Sequence, residues 1–282
     1  MRAHWIVALM IAVLALGAAG CPSRSRKTLV PKVPTSGDAG ALARFQQAQQ
    51  RFERDRDDGA AQPEEFEAIA AEYPDDPVAP FALLYAGISA LRGHEYGRAV
   101  ASLETLGQSA GIDPGLHTRG RMFLGVSLTY EGRYPEAVAP LRDGERAIEN
   151  DDERTEWNAA MAEALAGTGD VASALPYYDQ FYKRGQPAER AYIVARLRGL
   201  VDQLDVSVAR AAYDRVDRGG PSAAFLGLRV AAALAAAGDP SGAARVRAET
   251  SSARQHLGLE GPNAGSGAGG NARLIGAVMP LS

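Results

Sequence analysis

From residue 41 onward, apolar residues recur at helical spacing in segments of about 12 to 16 residues. Short polar turns divide them: RGHEYG (92–97), EGRYPE (131–136), GTGD (167–170) and AGDPSG (237–242). After each turn an alanine opens a second helix: Ala99, Ala137, Ala174 and Ala243, with Ala209 in SVARAAY as a weaker member. Successive intervals along this series are 38, 37, 35 and 34 residues, so one helix–turn–helix unit repeats along the chain. Twelve positions before these alanines stand Gly87, Gly125, Ala162, Leu197 and Ala231. Four of the five are small, which lets the two helices of a hairpin approach closely, with the alanine filling the facing slot. A bulky side chain there pushes the hairpin apart, so Leu197 marks the weakest unit. A degenerate first unit over residues 41–76, with helices at 41–55 and 63–73, brings the count to six hairpins. Each hairpin is amphipathic and cannot bury its apolar face alone, so the units must stack. The prediction is an all-α, right-handed solenoid over residues 41–259, with the first helix of each unit on its concave face.

Both ends of the chain break this pattern. Residues 1–20 carry one basic residue (Arg2), an apolar stretch from Trp5 to Leu16 and then four small residues, the layout of a secretory signal. The stretch is shorter than the roughly 20 residues a bilayer span needs. Residues 22–40 hold three prolines with scattered Ser and Gly and no apolar period, which reads as a flexible tether. As a coil it spans about 24 Å, and about 60 Å when fully extended. Arg24, Arg26, Lys27 and Lys32 either sit on anionic lipid or stay solvated. At the other end, EGPNAGSGAGGNA (260–272) reads as a Gly-rich linker, followed by RLIGAVMPLS (273–282), an apolar run of β-type character. A lone strand would leave its backbone groups without partners, so the chain is expected to continue beyond Ser282.

Composition narrows the function classes. Removal of residues 1–20 leaves 262 residues with 29 basic and 34 acidic side chains, a balance unsuited to general nucleic-acid binding. Cys21 is the only cysteine, so no disulfide can form within the chain. His94, His117 and His256 lie in different units without metal-ligand spacing, so no metal or cofactor is expected. Gly265-Ser266-Gly267 has no strand before it and no helix after it, and so does not make a nucleophile elbow. The pairs Asp57-Asp58, Asp75-Asp76 and Asp151-Asp152 fall at predicted helix ends, where carboxylates complement helix N-termini. A non-catalytic role follows.

Four resemblances extend this reading. The stretch YPDDPVAPFALLYAGISALRGHEYGRAVASLETL resembles the tetratricopeptide arrays of bacterial envelope lipoproteins, in which Tyr-Pro, here Tyr73-Pro74, closes one unit. That resemblance implies a groove for peptides or proteins lined by outward positions of the first helices. By the repeat register these are Arg119, Met122, Tyr130, Glu163 and Arg198. Cys21 directly after small residues resembles the lipobox, although Ala18 stands where Leu is commoner; this implies lipidation at Cys21. The residue after it is Pro22 rather than the Asp of the enteric inner-membrane retention signal, which favours the outer membrane. The run Ile275-Gly276 to Pro280-Leu281-Ser282 resembles the first strand of type I periplasmic-binding domains. Lipid anchor, tether, repeats, linker and such a strand, in that order, resemble the lipoprotein activators of penicillin-binding proteins. The resemblance implies a protein partner in the envelope, a peptidoglycan synthase, and regulation of wall synthesis. A solute receptor, for example for amino acids, and an outer-membrane assembly scaffold remain the alternatives.

Overall fold

The computed structural model describes residues 36–54 and 62–259. The signal segment, Cys21, most of the tether, Asp57-Asp58, the Gly-rich linker and the strand-like run 273–282 lie outside the described residues. Within them the chain is all-helical, with thirteen α-helices and no strand. The helices fall into the six expected units. Unit one holds α1 (Ala39–Arg54) and α2 (Pro63–Glu72), unit two α3 (Ala79–Arg92) and α4 (Tyr96–Gln108). Unit three holds α5 (Pro114–Tyr130) and α6 (Tyr134–Gly144), the latter running into a 3-10 turn over Glu145–Ala147. Unit four holds α7 (Asp151–Gly167) and α8 (Val171–Arg184), unit five α9 (Pro187–Gln203) and α10 (Val206–Tyr213). Unit six holds α11 (Pro221–Ala236) and α12 (Pro240–Glu249), and a short α13 (Ser251–His256) closes the array. No described helix is long and apolar enough to cross a membrane.

The turns between paired helices share one geometry, and the sequence explains it. In units two, three, four and six the second residue past the first helix adopts left-handed φ: His94 (60°), Gly132 (83°), Gly169 (87°) and Gly238 (84°). The next amide then donates back to a carbonyl five residues earlier: Glu95 to Ala90, Arg133 to Leu128, Asp170 to Leu165 and Asp239 to Leu234, at 2.8–3.0 Å. This Schellman closure satisfies carbonyls at the helix end and turns the chain back on itself. Glycine takes such φ without steric cost, which is why three of the four positions carry it. In units four and six the following helix opens on a side-chain acceptor. Asp170 takes the amide of Ser173 at 3.2 Å, and Asp239 that of Gly242 at 2.8 Å. Asp113 and Asn150 cap α5 and α7 in the same way. Each such cap contributes about 1 kcal/mol.

Close hairpin packing rests on the small positions. A Cβ on Gly87 would lie 2.5 Å from Cγ of Leu103. One on Gly125 would lie 2.6 Å from Cγ of Leu141 and 2.7 Å from its backbone nitrogen. Thus the nearest neighbour of these glycines is the leucine one turn beyond the second-helix alanine. Ala99, Ala137, Ala162, Ala174, Ala209, Ala231 and Ala243 are all buried. The first helices α3, α5 and α7 lie side by side, and one hydrophobic core runs from Phe45 to Val246. At its start Phe45, Phe52, Phe66, Phe81 and Tyr85 form an edge-to-face cluster. Residues assigned to the tether from sequence join this body earlier than expected. The helix begins at Ala39, and the amide of Asp38 donates to the Asp76 carboxylate at 2.6 Å.

Unit five departs from the pattern. α9 and α10 scarcely touch along their backbones; α9 packs on α8 and α11 instead, while α10 packs on α11. Two causes are visible. Leu197, fully buried, occupies the position held elsewhere by Gly or Ala. The residue after α9 is Leu204 in an extended conformation (ψ 142°), so no left-handed turn closes the pair. Arg229 of α11 takes over the capping, donating to the carbonyls of Asp202 (3.0 Å) and Leu204 at the end of α9.

Candidate functional site

The five residues assigned to a groove from the repeat register are engaged within the chain. Arg119 is 7% exposed and forms a two-pronged ion pair with Glu153 of the next unit, one prong at 2.6 Å. It also donates to the Ala147 carbonyl at 2.7 Å and lies over the Phe123 ring. Met122 is 1% exposed, part of the core, and its backbone sits so close to Gly144 that no Cβ would fit there. For these two the groove assignment is corrected: Arg119 is covered where units three and four stack, and Met122 lies against α6 of its own hairpin. Tyr130 is partly buried beside Tyr96, with its hydroxyl 3.5 Å from Glu156. Glu163 accepts from the hydroxyls of Tyr178 and Tyr192, both at 2.7 Å, and from Arg196 at 3.0 Å. Arg198 lies 5.8 Å from the Phe225 ring of unit six. No hydrogen bond or ion pair joins any two of the five.

What the first helices do present is a polar seam between units. Glu163 sits where α7 and α9 stand apart, and its ring of two tyrosines and an arginine spans the gap. Burial, and then the Glu163 charge, push both tyrosine hydroxyls well above the ordinary range. Two turns back along α7, burial together with repulsion from Glu153 pushes the Glu156 carboxyl up to about 8. Asp179 on α8 is buried and accepts the amide of Ser222 in the first turn of α11 at 2.9 Å; burial pushes its carboxyl up to about 6. These groups join units together. Their partners are already supplied by the chain.

The open surface lies elsewhere, across units two to four. A cleft of about 590 Å³ runs between the second helices α4 and α6, with α5 as its floor. Leu124, Leu128 and Gly120 form the floor; Leu103, Leu106 and Gly107 form one wall, and Ala139 and Pro140 the other. Gly120 matters locally, because a Cβ there would lie 2.6 Å from Leu106. Gly107 faces open space. Pro140, inside α6, has no N–H to return to the Glu136 carbonyl, and both residues line the cleft. A second hollow of about 640 Å³ adjoins it, and His117 and Arg121 line both.

This second hollow is basic. Its lining holds four arginines (121, 142, 146 and 154) against two carboxylates, Asp143 and Glu145. Arg121 pairs with Asp143 at 2.8 Å and Arg154 with Glu145 at 3.0 Å. Among the described residues Arg146 contacts only the Thr118 hydroxyl, at 3.3 Å, and Arg142 has no hydrogen-bond or ion-pair partner. Both are exposed. Sequence reasoning missed this site. Its signal is present in LRDGER, where Arg142 and Arg146 are four residues apart at the end of a second helix, but that spacing alone reads as a solvated face. His117, set aside from sequence for want of metal-ligand spacing, is where the two hollows meet.

No protein-family model matches this chain, and no curated protein or solved structure matches it.

Proposed function

We propose that this chain is a non-catalytic, lipid-anchored scaffold of the bacterial envelope whose tetratricopeptide-like units bind a protein partner. Regulation of peptidoglycan synthesis, through a bifunctional synthase of the penicillin-binding-protein class, is the process this reading favours. The observation that carries it is the recurrence of one hairpin: the same left-handed turn in four units, with a small residue facing the second helix. Stacked hairpins of this kind provide a long side-chain surface fixed by a rigid core, which suits capture of a protein segment. The signal segment, the lipidation of Cys21 and the 22–40 tether supply the address and the reach, and these rest on sequence alone.

The test uses the full-length protein in a bacterial envelope. The native chain is expected in the membrane fraction and the Cys21→Ser variant in the soluble periplasmic fraction. Crosslinking before detergent extraction is expected to recover a peptidoglycan synthase with both. Membrane retention of the folded Cys21→Ser variant overturns the anchor; absence of any crosslinked envelope protein overturns the scaffold.

A further inference from the structure

We infer that the cleft across units two to four binds an extended protein segment carrying an acidic side chain beside a short apolar run. This inference rests on the scaffold reading and deepens it by naming the chemistry of the partner. Two features on adjoining surfaces converge on that occupant. The α4–α6 cleft is floored by leucines and walled by Gly107, Ala139 and Pro140, so it has room for small or aliphatic side chains, with Glu104, Glu136 and Arg121 as the charged groups of its lining. Pro140 has no N–H for the Glu136 carbonyl, and a backbone acceptor so released from the helix ladder suits an amide donor from a strand-like segment.

At the His117 end the lining turns basic, with an excess of two positive charges over the carboxylates present. That excess stands out in a chain whose acidic residues outnumber its basic ones, 34 to 30. Elsewhere several arginines between helices are matched by carboxylates, Arg119 by Glu153, Arg98 by Glu67 and Arg196 by Glu163, while Arg229 meets backbone carbonyls and Arg198 the Phe225 ring. Among the described residues Arg142 and Arg146 have no carboxylate of their own, and a planar guanidinium fork is the group best suited to take one bidentately. The apolar furrow and the basic end together favour a peptide over a bare anion, which would use only the second hollow. They also favour it over an anionic membrane, which would not need the furrow.

A random dodecapeptide display library selected on the full-length protein tests the inference. Selected peptides are expected to share an acidic residue next to two or more apolar ones. Their affinity, read by fluorescence anisotropy, is expected to fall at least tenfold on the double substitution Arg142→Glu and Arg146→Glu, and again on Gly107→Trp, which fills the furrow. Circular-dichroism melts matching the native protein establish that the variants fold. Failure to select peptides, peptides without acids, or peptides that bind the double variant equally well overturn the inference. So does loss of affinity on the charge variant but not on Gly107→Trp, the signature of an anion or of an anionic lipid surface. If the crosslinked envelope partner survives both substitutions, the cleft is not its site while the scaffold reading stands; if no partner is found with the native chain, the scaffold reading itself fails.

Discussion

Unit three and unit five contain the same parts in the same order, yet one is a closed hairpin and the other is splayed. In unit three, Gly125 brings α5 against Leu141 of α6, and Gly132 at left-handed φ closes the turn. In unit five, Leu197 stands at the equivalent position and Leu204 continues extended, so α9 and α10 are held by their neighbours rather than by each other. The gap left beside α7 is bridged by side chains, with Glu163 at the centre of Tyr178, Tyr192 and Arg196. Hairpin closure in this array therefore depends on a small packing site and a left-handed turn residue in each unit. Loss of both converts direct packing into packing through polar side chains and through the next unit.

The comparison can be broken most visibly by local opening. α10 is eight residues long and exposes Val206 (47%) and Val208 (40%), while α5 is buried along most of its length. Hydrogen exchange under native conditions is expected to show α10 amides exchanging at least about a hundredfold faster than those of α5, since short elements with few buried contacts open at low free energy. Equal protection would mean that unit five is as cooperative as the rest.

Swapping residue size between the two units sharpens the point. Gly125→Leu should destabilise by about 3 kcal/mol in urea unfolding, because the clash falls on the Leu141 backbone, which cannot yield. Leu197→Ala should cost about 2 kcal/mol by leaving a cavity, without closing the hairpin, since the turn at Leu204 is unchanged. Stabilisation by Leu197→Ala would show that bulk alone splays unit five.

A third contrast concerns the joint between units four and six, where Asp179 of α8 holds the first turn of α11. Its folded pKa, about 6, lies above the ordinary 3.8, so its contribution to stability is full below about pH 4 and lost as pH rises through about 6. Glu156, at about 8 against 4.5, acts in the same direction up to about pH 8. Thermal unfolding of the native protein is expected to drop in midpoint over this range, and Asp179→Asn to flatten the lower part of the fall. A midpoint rising from pH 4 to pH 6 would contradict both assignments.

The smallest effect has the opposite sign. His94 is the one non-glycine residue among the described residues with left-handed φ, and it occupies the turn position that glycine fills in units three, four and six. His94→Gly should stabilise by about 1 kcal/mol through relief of that conformation, less the exposed contact of its ring nitrogen with the Tyr96 hydroxyl. Thermal unfolding reads the difference.

How far the chain could be read in advance follows from where the forces act. Helix ends, caps and turns are set by residues within five positions of one another, so the hairpins and even the weakness at Leu197 were visible in one dimension. The six units, their boundaries and the burial of Gly87, Ala99, Gly125, Ala137, Ala162, Ala174, Ala231 and Ala243 follow from period and residue size. The groove did not follow. A register says which residues point away from their own hairpin, but not which of them the next hairpin covers. Pairing across units joins residues 33 or 34 apart, as with Arg119 and Glu153 or Glu163 and Arg196, and only stacking brings them together. Packing within the hairpin covered Met122, and stacking left Arg142 and Arg146 uncovered in the hollow beside a cleft made by three helices. Local chemistry determined the units. Which faces stayed open was decided by how the units meet, because that depends on contacts between residues whose separation no local pattern records.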